Sequence, residues 1–512
     1  MNLVETVGEA AAAHPERPAI VYEDRELSYE AFWTRAGQFA QALVDRGLGA
    51  GTRVAVYLPN LPQFATAFHG TLRMGGVIVP MNPQYKRREL EHLLGDSGAE
   101  VVVTLPDLVQ HVEPVRDDTN VEHVVSIGDD AGDVSFEGFL ADDTHPVVDR
   151  DDDDVACQPY TSGTTGTPKG VLLTHENLHW DADAALDPVP GGVQPEDRHL
   201  GVLPLFHIYG MTVTMNATLF AGAAYYPVPE WNAKEVMELI EDEELTLIHA
   251  VPAMYNDMVN EPGDYDFSSV RFANSGGSAL PMEVLRAFED RFDVDLHEGY
   301  GLTETSPVTH ANRVGERRAG SIGRALDGLQ ARVVTDDFED VPPVEEGPVD
   351  ESEVDLSEIT GELVVAGPNV MKGYFERPQA NEEAFTVEDG TRWFHTGDMA
   401  YHDEDGFYYL VDRKKHMIVT GGYNVYPREV EELLFEHPDV KDAAVVGIPD
   451  DRRGETVKAF VVPAPDATAS PEDIKQYCLE RLAAYKHPRE VEFVDELPRT
   501  TTGKVQKFEL ND

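Results

Sequence analysis

The chain has 512 residues, more than one hydrophobic core normally supports, so its length predicts a large unit and a smaller one. Its hydrophobic content of 41% excludes a disordered protein, and its 40 basic against 95 acidic residues give a net charge of −55. Such a surface repels polyanions, which excludes a general binder of nucleic acids or anionic membranes. We interpret the charge as an adaptation to high internal salt; an ordinary acidic cytosolic protein is the alternative.

The two cysteines, Cys157 and Cys478, lie too far apart in sequence to suggest a disulfide framework or a clustered metal site. The N-terminus, MNLVETVGEAAAAHPERPAI, has no basic segment of the kind that begins a signal peptide. The longest apolar stretch, residues 211–227, is interrupted by Thr and Asn and is too short to span a bilayer. We therefore expect a soluble, cytoplasmic protein with no integral membrane association.

Helical and strand patterns alternate in the first part of the chain. Apolar periodicity predicts a helix over residues 28–46, and β-rich or apolar runs predict strands at 54–58, 77–79 and 101–104. This alternation favours an α/β fold with helices layered on parallel strands. The Asp-rich segment 141–154 has no hydrophobic period, which predicts a solvated linker before the first motif.

The pattern changes towards the C-terminus. Segment 335–356 combines proline with many carboxylates, which predicts an exposed loop. Short units follow: a helix that begins at Pro427, strands at 443–446 and 458–462, and a helix capped by Ser470. These units predict a small α+β domain at the end of the chain.

The strongest local signal is the segment 160–170, YTSGTTGTPKG. Its glycines leave the backbone free to turn, so that amides and hydroxyl groups can surround phosphate oxygens, and Lys169 adds a positive charge. The spacing differs from that of a Walker loop, because Gly170 rather than Ser or Thr follows the lysine. The candidate phosphate ligands are Thr161, Ser162, Gly163, Thr164, Thr165, Gly166 and Lys169.

Six further motifs follow in order along the chain. They are PLFHIYG (204–210), SGGSAL (275–280), GYGLTETSP (299–307), WFHTGD (393–398), DRKKHMIVTGGYNVYP (412–427) and PRTTTGKVQK (498–507). With the first loop, they resemble the AMP-forming adenylating enzymes, a family of acyl-CoA synthetases, aryl-CoA ligases, luciferases and peptide-synthetase adenylation domains. The resemblance covers nearly the whole chain, and the shared order is far more specific than any single motif.

The resemblance implies a fold and a chemistry. The fold is α/β, with layered α/β subdomains and a small β-barrel in a large N-terminal domain, residues 1–414. Residues 415–512 would form a small, mobile α+β lid domain. The chemistry is activation of a carboxylic acid by ATP, which needs a metal, cations and hydrogen-bond donors around one phosphorus. ATP and coenzyme A would be the cosubstrates and Mg²⁺ the metal cofactor.

The resemblance also assigns the nucleotide contacts. Glu304 resembles the ligand of Mg²⁺, a hard cation that prefers oxygen ligands, and Thr303 would contact the α-phosphate. Tyr300 would stack on the adenine, and Asp398 would take both ribose hydroxyls, with Arg413 donating from the far side. The remaining candidates for nucleotide binding are Gly276, Glu298 and Gly299.

The C-terminal motifs imply a second conformation. Lys504 matches the lysine that bridges the acid and the α-phosphate during adenylation, and a solvent lysine is the alternative. Lys415 falls at the family's hinge, and Gly421 and Gly422 fall where the pantetheine of coenzyme A enters. Rotation about the hinge would exchange Lys504 for the glycine pair between half-reactions.

Two positions narrow the range of carboxylic acids that the predicted enzyme would accept. His207 lies at the mouth of the family's acyl pocket, where we expect a gate, with a packed core histidine as the alternative. It replaces the Asp that pairs with an amino acid's ammonium group, which disfavours amino acids. Gly301 replaces the Trp of acetate-activating relatives, so the pocket should stay open to longer acids. The other predicted lining residues are Tyr209, Met211, Gly277 and Val308.

The sequence therefore predicts an acid–thiol ligase for a medium- or long-chain fatty acid, with free coenzyme A as acceptor. A 4-coumarate-like aryl acid is an open alternative, as is an acyl-AMP ligase that loads a separate carrier protein. A nucleotide sensor without turnover is disfavoured by the presence of Glu304 and Lys504. The sequence also leaves open whether the protein forms a homodimer.

Overall fold

The computed structural model describes residues 2–128, 131–161, 168–185, 187–349, 354, 356–421, 423–450, 452–465, 467–499 and 505–510. The α-helices are α1 (Val4–Ala13), α2 (Tyr29–Asp45), α3 (Pro62–Arg73), α4 (Arg87–Ser97), α5 (Val109–Arg116), α6 (Phe136–Phe139), α7 (His175–Ala184), α8 (Ala217–Phe220), α9 (Ala233–Asp242), α10 (Pro252–Asn260), α11 (Met282–Phe292), α12 (Leu356–Ile359), α13 (Pro378–Ala384), α14 (Pro427–Phe435) and α15 (Pro471–Arg481). A π-helix occupies Gly210–Asn216, and 3-10 helices occupy Pro106–Leu108, Thr303–Thr305, Lys414–His416 and Lys507–Leu510.

The strands fall into four sheets. Those before residue 326 are β1 (Pro18–Tyr22), β2 (Arg25–Ser28), β3 (Arg53–Tyr57), β4 (Val77–Pro80), β5 (Val101–Thr104), β6 (His123–Ser126), β7 (Val134–Ser135), β8 (Val155–Cys157), β9 (Tyr160–Thr161), β10 (Lys169–Thr174), β11 (Arg198–Gly201), β12 (Ala224–Pro227), β13 (Leu247–Ala250), β14 (Phe272–Ser275), β15 (Leu296–Gly301), β16 (Val308–Ala311) and β17 (Arg324–Ala325). The later strands are β18 (Gln330–Val334), β19 (Gly361–Ala366), β20 (Gly373–Tyr374), β21 (Phe385–Glu388), β22 (Thr391–His402), β23 (Tyr408–Arg413), β24 (Ile418–Thr420), β25 (Tyr423–Val425), β26 (Val440–Asp450), β27 (Gly454–Pro463) and β28 (Glu490–Phe493).

Two nine-stranded sheets form the body of the N-terminal part. Sheet I has the order β17-β16-β15-β14-β13-β11-β12-β1-β2, and sheet II has the order β20-β10-β8-β4-β3-β5-β6-β7 with β9 paired to β10. Strands β11 to β15 run parallel, so their carboxyl ends lie at one edge of sheet I. In α/β folds this edge is where ligands usually bind.

The alternating pattern of the first part is confirmed. The predicted helix is α2, which begins after Ser28, whose hydroxyl accepts a hydrogen bond from the Ala31 amide at 3.2 Å. The three predicted strands are β3, β4 and β5, and they pair in parallel within sheet II. Every residue of β4 and β5 is buried, as is usual for parallel strands covered on both faces.

Two smaller sheets follow. Sheet III is antiparallel, with the order β18-β19-β22-β21 and β23 paired to β22. Among the described strands its pairing stays open at β18 and β21, so the small barrel expected from the resemblance appears as an open sheet. Sheet IV has the order β25-β24-β27-β26 with β28 paired to β27, and α14 and α15 pack with it in one core.

The C-terminal unit is the predicted small α+β domain. Pro427 and Pro471 begin its two helices, and the Ser470 hydroxyl accepts a hydrogen bond from the Asp473 amide at 3.3 Å. Its two longest strands, β26 and β27, extend beyond the predicted segments and pair along their whole length. The expected boundary after residue 414 falls in the 3-10 helix Lys414–His416, and the division into moving units stays a prediction.

No helix in the described ranges is both long and apolar enough to cross a membrane.

Candidate active site

A cavity of about 1500 Å³ opens at the carboxyl ends of β13, β14 and β15. Sheet II contributes β10 and β20 to its wall, and sheet III contributes β22 and β23. Residues 445–447 and 505–507 of the C-terminal part close another side. Pockets for one small molecule usually measure about 300 to 1000 Å³, so this cavity can hold more than one ligand.

Most of the predicted site residues within the described ranges meet at this cavity. Those that line it are Thr161, Lys169, His207, Tyr209, Gly276, Gly277, Gly299, Tyr300, Gly301, Thr303, Glu304, Val308, Arg413 and Lys415. They come from nine separate strands, 3-10 helices or turns, which the parallel order of sheet I and the pairing of β10 with β20 bring together. Seven other predicted residues lie outside the described ranges: Ser162, Gly163, Thr164, Thr165, Gly166, Gly422 and Lys504.

Four predicted residues lie away from the cavity wall. Met211 is fully buried in the π-helix and belongs to the hydrophobic core, so it does not form the acyl pocket surface. Glu298 and Asp398 are buried behind the wall. Gly421 is exposed, and its amide donates to the Arg453 carbonyl at 2.9 Å.

Asp398 is held from two sides just behind the cavity wall that Gly397 and Arg413 form. Arg413 lies opposite it in the pairing of β22 with β23, and Arg413 Nε is 2.6 Å from Asp398 Oδ1. The Tyr300 hydroxyl donates to Asp398 Oδ2. Although burial opposes its charge, the neighbouring Asp398, Tyr300 and Glu304 raise the pKa of Arg413. The guanidinium is therefore a fixed positive charge beside a fixed carboxylate.

Glu304 is held by a residue that the motifs did not indicate. The Tyr374 hydroxyl donates to Glu304 Oε1 at 2.9 Å, and Lys169 Nζ lies 5.1 Å from the centre of the Tyr374 ring. Burial, followed by the charge of Glu304, raises the pKa of Tyr374, so its proton stays in the hydrogen bond. Carboxylate, phenol and ammonium thus face one region of the cavity.

One carboxylate at this place fits the metal that the resemblance implies. Mg²⁺ in nucleotide sites usually takes one or two carboxylates and completes its coordination with phosphate oxygens and water. Glu304 supplies such a carboxylate. Within the described part of the chain, no group of three or more His, Cys, Asp or Glu side chains could form an all-protein metal site. The residues present therefore suit a Mg²⁺ that is bound together with a nucleotide.

The other end of the cavity is walled by aromatic and small residues. Tyr209 accepts a hydrogen bond from Asn274 Nδ2 at 2.9 Å, and Phe272 and His249 come from the same parallel strands. His207 Nδ1 accepts from the Tyr209 amide at 3.3 Å. His207, Tyr209, His249 and Phe272 thus form an aromatic part of the cavity wall beside the edge of sheet I.

The glycines here are required by close neighbours. A Cβ atom at Gly301 would lie 1.7 Å from the Pro307 carbonyl oxygen, which no backbone in this arrangement can accept. A Cβ atom at Gly276 would lie 3.0 Å from the Tyr209 ring. Gly301 is therefore a site of close backbone approach, and the interpretation that it only leaves space for a longer acid is incomplete.

Glu298 faces the C-terminal unit. Its Oε1 accepts from the Leu280 amide at 3.4 Å, and the charge of Arg428, from the start of α14, acts on it. Burial raises the pKa of Glu298 to about 7, although Arg428 lowers it. This carboxyl is therefore placed at the junction of the two units and not on the nucleotide surface.

The whole-chain comparisons agree with this geometry. Residues 7–375 match the family model described as AMP-binding enzyme, and residues 429–504 match the AMP-binding enzyme C-terminal domain. The chain belongs to the AMP-binding enzymes. The family that the motifs indicated is thereby confirmed.

Relatives of this AMP-binding enzyme align over its full length. It is 36% identical to a long-chain-fatty-acid–CoA ligase of Bacillus subtilis (strain 168), over 99% of this chain and 94% of that one. It is also 36% identical to a sulfoacetate–CoA ligase of Cupriavidus necator, over 99% and 97%. Among solved structures, ATP-bound MatB from Rhodopseudomonas palustris matches with a TM-score of 0.91 and 31% identity, over 100% and 98%.

Several wall residues of the AMP-binding enzyme were missed by sequence reasoning. Tyr374 lies in a two-residue strand and carries no motif, and Asn274 comes just before one. His249 is the third residue of the run LIHA (247–250), which directly precedes the Val-Pro at the start of α10. A polar residue at the carboxyl end of an otherwise apolar parallel strand is the signal that could have found it.

Proposed function

We propose that this AMP-binding enzyme is an ATP-dependent acyl-CoA synthetase that acts on a medium- or long-chain fatty acid. It forms acyl-AMP and pyrophosphate from the acid and Mg-ATP, and then acyl-CoA and AMP. The observation that carries the proposal is one cavity of about 1500 Å³ that joins Glu304 and Arg413 to the pocket of Tyr209 and Val308. The name of the Bacillus subtilis relative, a long-chain-fatty-acid–CoA ligase, supports the acid chosen.

The first half-reaction brings anions together. A carboxylate oxygen of the acid attacks the α-phosphorus of ATP, the bond from that phosphorus to the bridging oxygen breaks, and pyrophosphate leaves. Lys169 and Arg413 put positive charge where the phosphates would lie, which offsets the repulsion. Thr303 would donate to the α-phosphate. Mg²⁺, when bound by Glu304, supplies further neutralisation of the phosphate charge.

Asp398 would bind the ribose in this proposal. Both of its oxygens already have partners, Arg413 and Tyr300. A carboxylate has lone pairs for about four donors, so ribose hydroxyls can be added beside the guanidinium. Because Tyr300 would also stack on the adenine, its contact with Asp398 fixes the ring at the place where base and sugar meet.

The second half-reaction needs a different partner for the adenylate. The sulfur of coenzyme A attacks the carbonyl carbon, AMP leaves, and the thiol proton is released. We assign the exchange to rotation near Lys415, which would remove Lys504 and bring Gly421 and Gly422 to the site. Burial, and then the charge of Arg413, lowers the pKa of Lys415, while Asp398 acts in the opposite direction.

An aryl acid is the second candidate. Tyr209 and Phe272 present aromatic surfaces to the pocket, and flat rings pack well against such walls. A benzoate CoA ligase from Burkholderia xenovorans LB400 has the same fold, with a TM-score of 0.88 and 26% identity over the full length of both chains. The ligase chemistry is the same for either acid.

The test is acid-dependent exchange of labelled pyrophosphate into ATP with a panel of fatty and aryl acids. Exchange that is greatest with octanoate or longer fatty acids supports the proposal. Exchange that is greatest with aryl acids selects the second candidate, and binding of ATP without any exchange would point to a sensor. Adding free coenzyme A or a carrier protein to the active mixture then identifies the acceptor.

The proposal places the enzyme in the cytoplasm. ATP and coenzyme A are its cosubstrates, and Cys157 and Cys478 are free, buried thiols. Retention of activity in a reducing buffer, together with recovery of the native enzyme from the cytosolic fraction, tests the assignment.

A further inference from the structure

A row of buried polar side chains lies across β13, β14 and β15, and two of them line the cavity. His249 lies opposite Asn274 in the pairing of β13 with β14, and Asn274 lies opposite His297 in the pairing of β14 with β15. All three are buried in parallel strands, where apolar residues are the rule. Buried polar groups are retained where they have hydrogen-bond partners or a function, so each side-chain nitrogen of this row should have one or the other.

A chain of hydrogen bonds leads to His249 from behind the sheet. The Thr218 hydroxyl donates its only hydrogen to the Thr214 carbonyl one helical turn away. Thr218 Oγ1 is also 2.6 Å from His199 Nδ1, so Nδ1 must carry the hydrogen of that contact. His199 Nε2 is 2.8 Å from His249 Nδ1.

Because both histidine rings are neutral, the donor and the acceptor of the hydrogen bond between His199 and His249 can be identified. Burial lowers the pKa of His199 to about 3, so the ring carries one hydrogen, on Nδ1, and its Nε2 accepts. His249 Nδ1 therefore donates to it. Burial, with smaller effects of His199 and His297, also lowers the pKa of His249, which leaves its Nε2 without a hydrogen.

This Nε2 atom points away from His199, because the two ring nitrogens face nearly opposite directions. His249 lines the cavity and is 4% exposed, and no hydrogen bond to Nε2 occurs within the described ranges. An acceptor left without a donor when a ligand removes the water costs free energy. The cavity wall thus includes a hydrogen-bond acceptor whose ring orientation is fixed by His199.

We infer that the acid taken by this pocket carries a hydrogen-bond donor, a hydroxyl group, at the end remote from its carboxylate, and that His249 Nε2 accepts from it. The inference rests on the proposed ligase function and narrows its substrate class to hydroxylated acids. His249 is the specificity-determining residue. His199 and Thr218 are positioning residues that keep its lone pair towards the acid.

The experiment compares matched acids on the intact chain. Each pair has the same number of heavy atoms and differs only in a terminal hydroxyl or methyl group, in an alkanoic series and in a phenyl series. In whichever series, alkanoic or phenyl, gives the higher activity, we expect kcat/KM in pyrophosphate exchange to be about 10-fold or more higher for the hydroxyl member of the pair. Equal or better use of the methyl member there would overturn the inference and leave the ligase function intact. No exchange with any acid would overturn both.

Variants separate recognition from packing. His249→Phe keeps a ring but removes the acceptor. The ratio of kcat/KM for the hydroxyl acid to that for the methyl acid should therefore fall towards one. Thr218→Val does not touch the cavity, yet it removes the group that fixes the hydrogen on His199, so it should also reduce the preference. A merely structural effect would instead lower kcat/KM equally for both acids of a pair.

Thr214→Val is the matched control. Thr214 is an equally buried threonine of the same helical segment, and its hydroxyl donates to the Gly210 carbonyl and not to His199. Its variant should keep the full hydroxyl preference. If Thr218→Val and Thr214→Val behave alike, or if His249→Phe keeps the preference, the assignment of His249 is wrong.

Discussion

The Tyr374 hydroxyl donates a hydrogen bond to Glu304 Oε1 at 2.9 Å, between residues 70 positions apart in the sequence. Tyr374 reaches this place because β20 pairs with β10, where it lies opposite Val171. The bond fixes one oxygen of the carboxylate that we propose as the ligand of Mg²⁺. Residues that orient a metal ligand in this way affect metal affinity without touching the metal.

Tyr374→Phe should therefore weaken the response to Mg²⁺. Loss of such a supporting bond typically costs about 10- to 100-fold in metal affinity or activity. We expect the Mg²⁺ concentration for half-maximal pyrophosphate exchange to rise at least about 10-fold, with activity recovering at high Mg²⁺. Tyr265→Phe is the control, since that hydroxyl donates only to the Pro262 carbonyl at the surface. An unchanged Mg²⁺ dependence would show that Tyr374 does not orient the ligand.

The contrast between Glu304 and Tyr374 shows what the sequence could predict. Glu304 lies in a motif, so a local pattern was enough to select it. Tyr374 lies in a strand of two residues whose place depends on pairing with β10, a contact made by tertiary structure. The same applies to His249 and His199, which meet because β11 and β13 are neighbours in sheet I.

Helices and strands with a clear apolar pattern were predictable because, as for Glu304, the signal lies in the local sequence. The helix α2 and the strands β3 to β5 have their own capping or apolar signals. The π-helix Gly210–Asn216 does not, because its wider turn depends on packing around fully buried side chains. Met211 was therefore assigned to the acyl pocket, whereas the structure turns it into the core.

Glu298→Gln should change stability in a pH-dependent way. The folded protein holds this carboxyl at a pKa of about 7 in place of 4.5, so folding favours its protonated form. The cost of ionising this carboxyl is absent below pH 4.5, grows between pH 4.5 and 7, and levels off above pH 7 at on the order of 3 kcal/mol. The neutral Gln variant should therefore melt higher than the parent at pH 8 and lose that advantage near pH 4.5. A lower melting temperature at pH 8 would mean that the charged form is the stabilised one.

Gly301→Ala should damage the site as a whole. Its Cβ atom would collide with the Pro307 carbonyl, so β15 and the turn that carries Thr303 and Glu304 must move apart. We expect kcat/KM to fall by a similar factor for short and long acids. Gly276→Ala, whose Cβ atom would lie nearest the flexible Tyr209 side chain, should instead change the relative kcat/KM values of different acids. A Gly301→Ala enzyme that simply prefers shorter acids would restore the open-pocket interpretation.

The net charge of −55 predicts dependence on salt. At 0.01 M ionic strength the Debye length is about 30 Å, so acidic groups repel one another across much of the protein. We expect the melting temperature and activity to fall on dilution from molar salt and to recover when salt is restored. The same melting temperature at both salt concentrations would exclude an adaptation to high salt.

The most direct test of the two-step account uses single turnovers of the parent and of Lys504→Ala. One reaction follows acid-dependent release of pyrophosphate, and the other follows thioester formation from synthetic acyl-AMP and coenzyme A. Because the proposed rotation puts Lys504 in the site for adenylation only, its loss should slow the first reaction by about 10² to 10³ and leave the second near the parental rate. Comparable losses in both reactions, or no loss in either, would contradict the assignment, and a parent enzyme that forms no thioester would contradict the ligase itself.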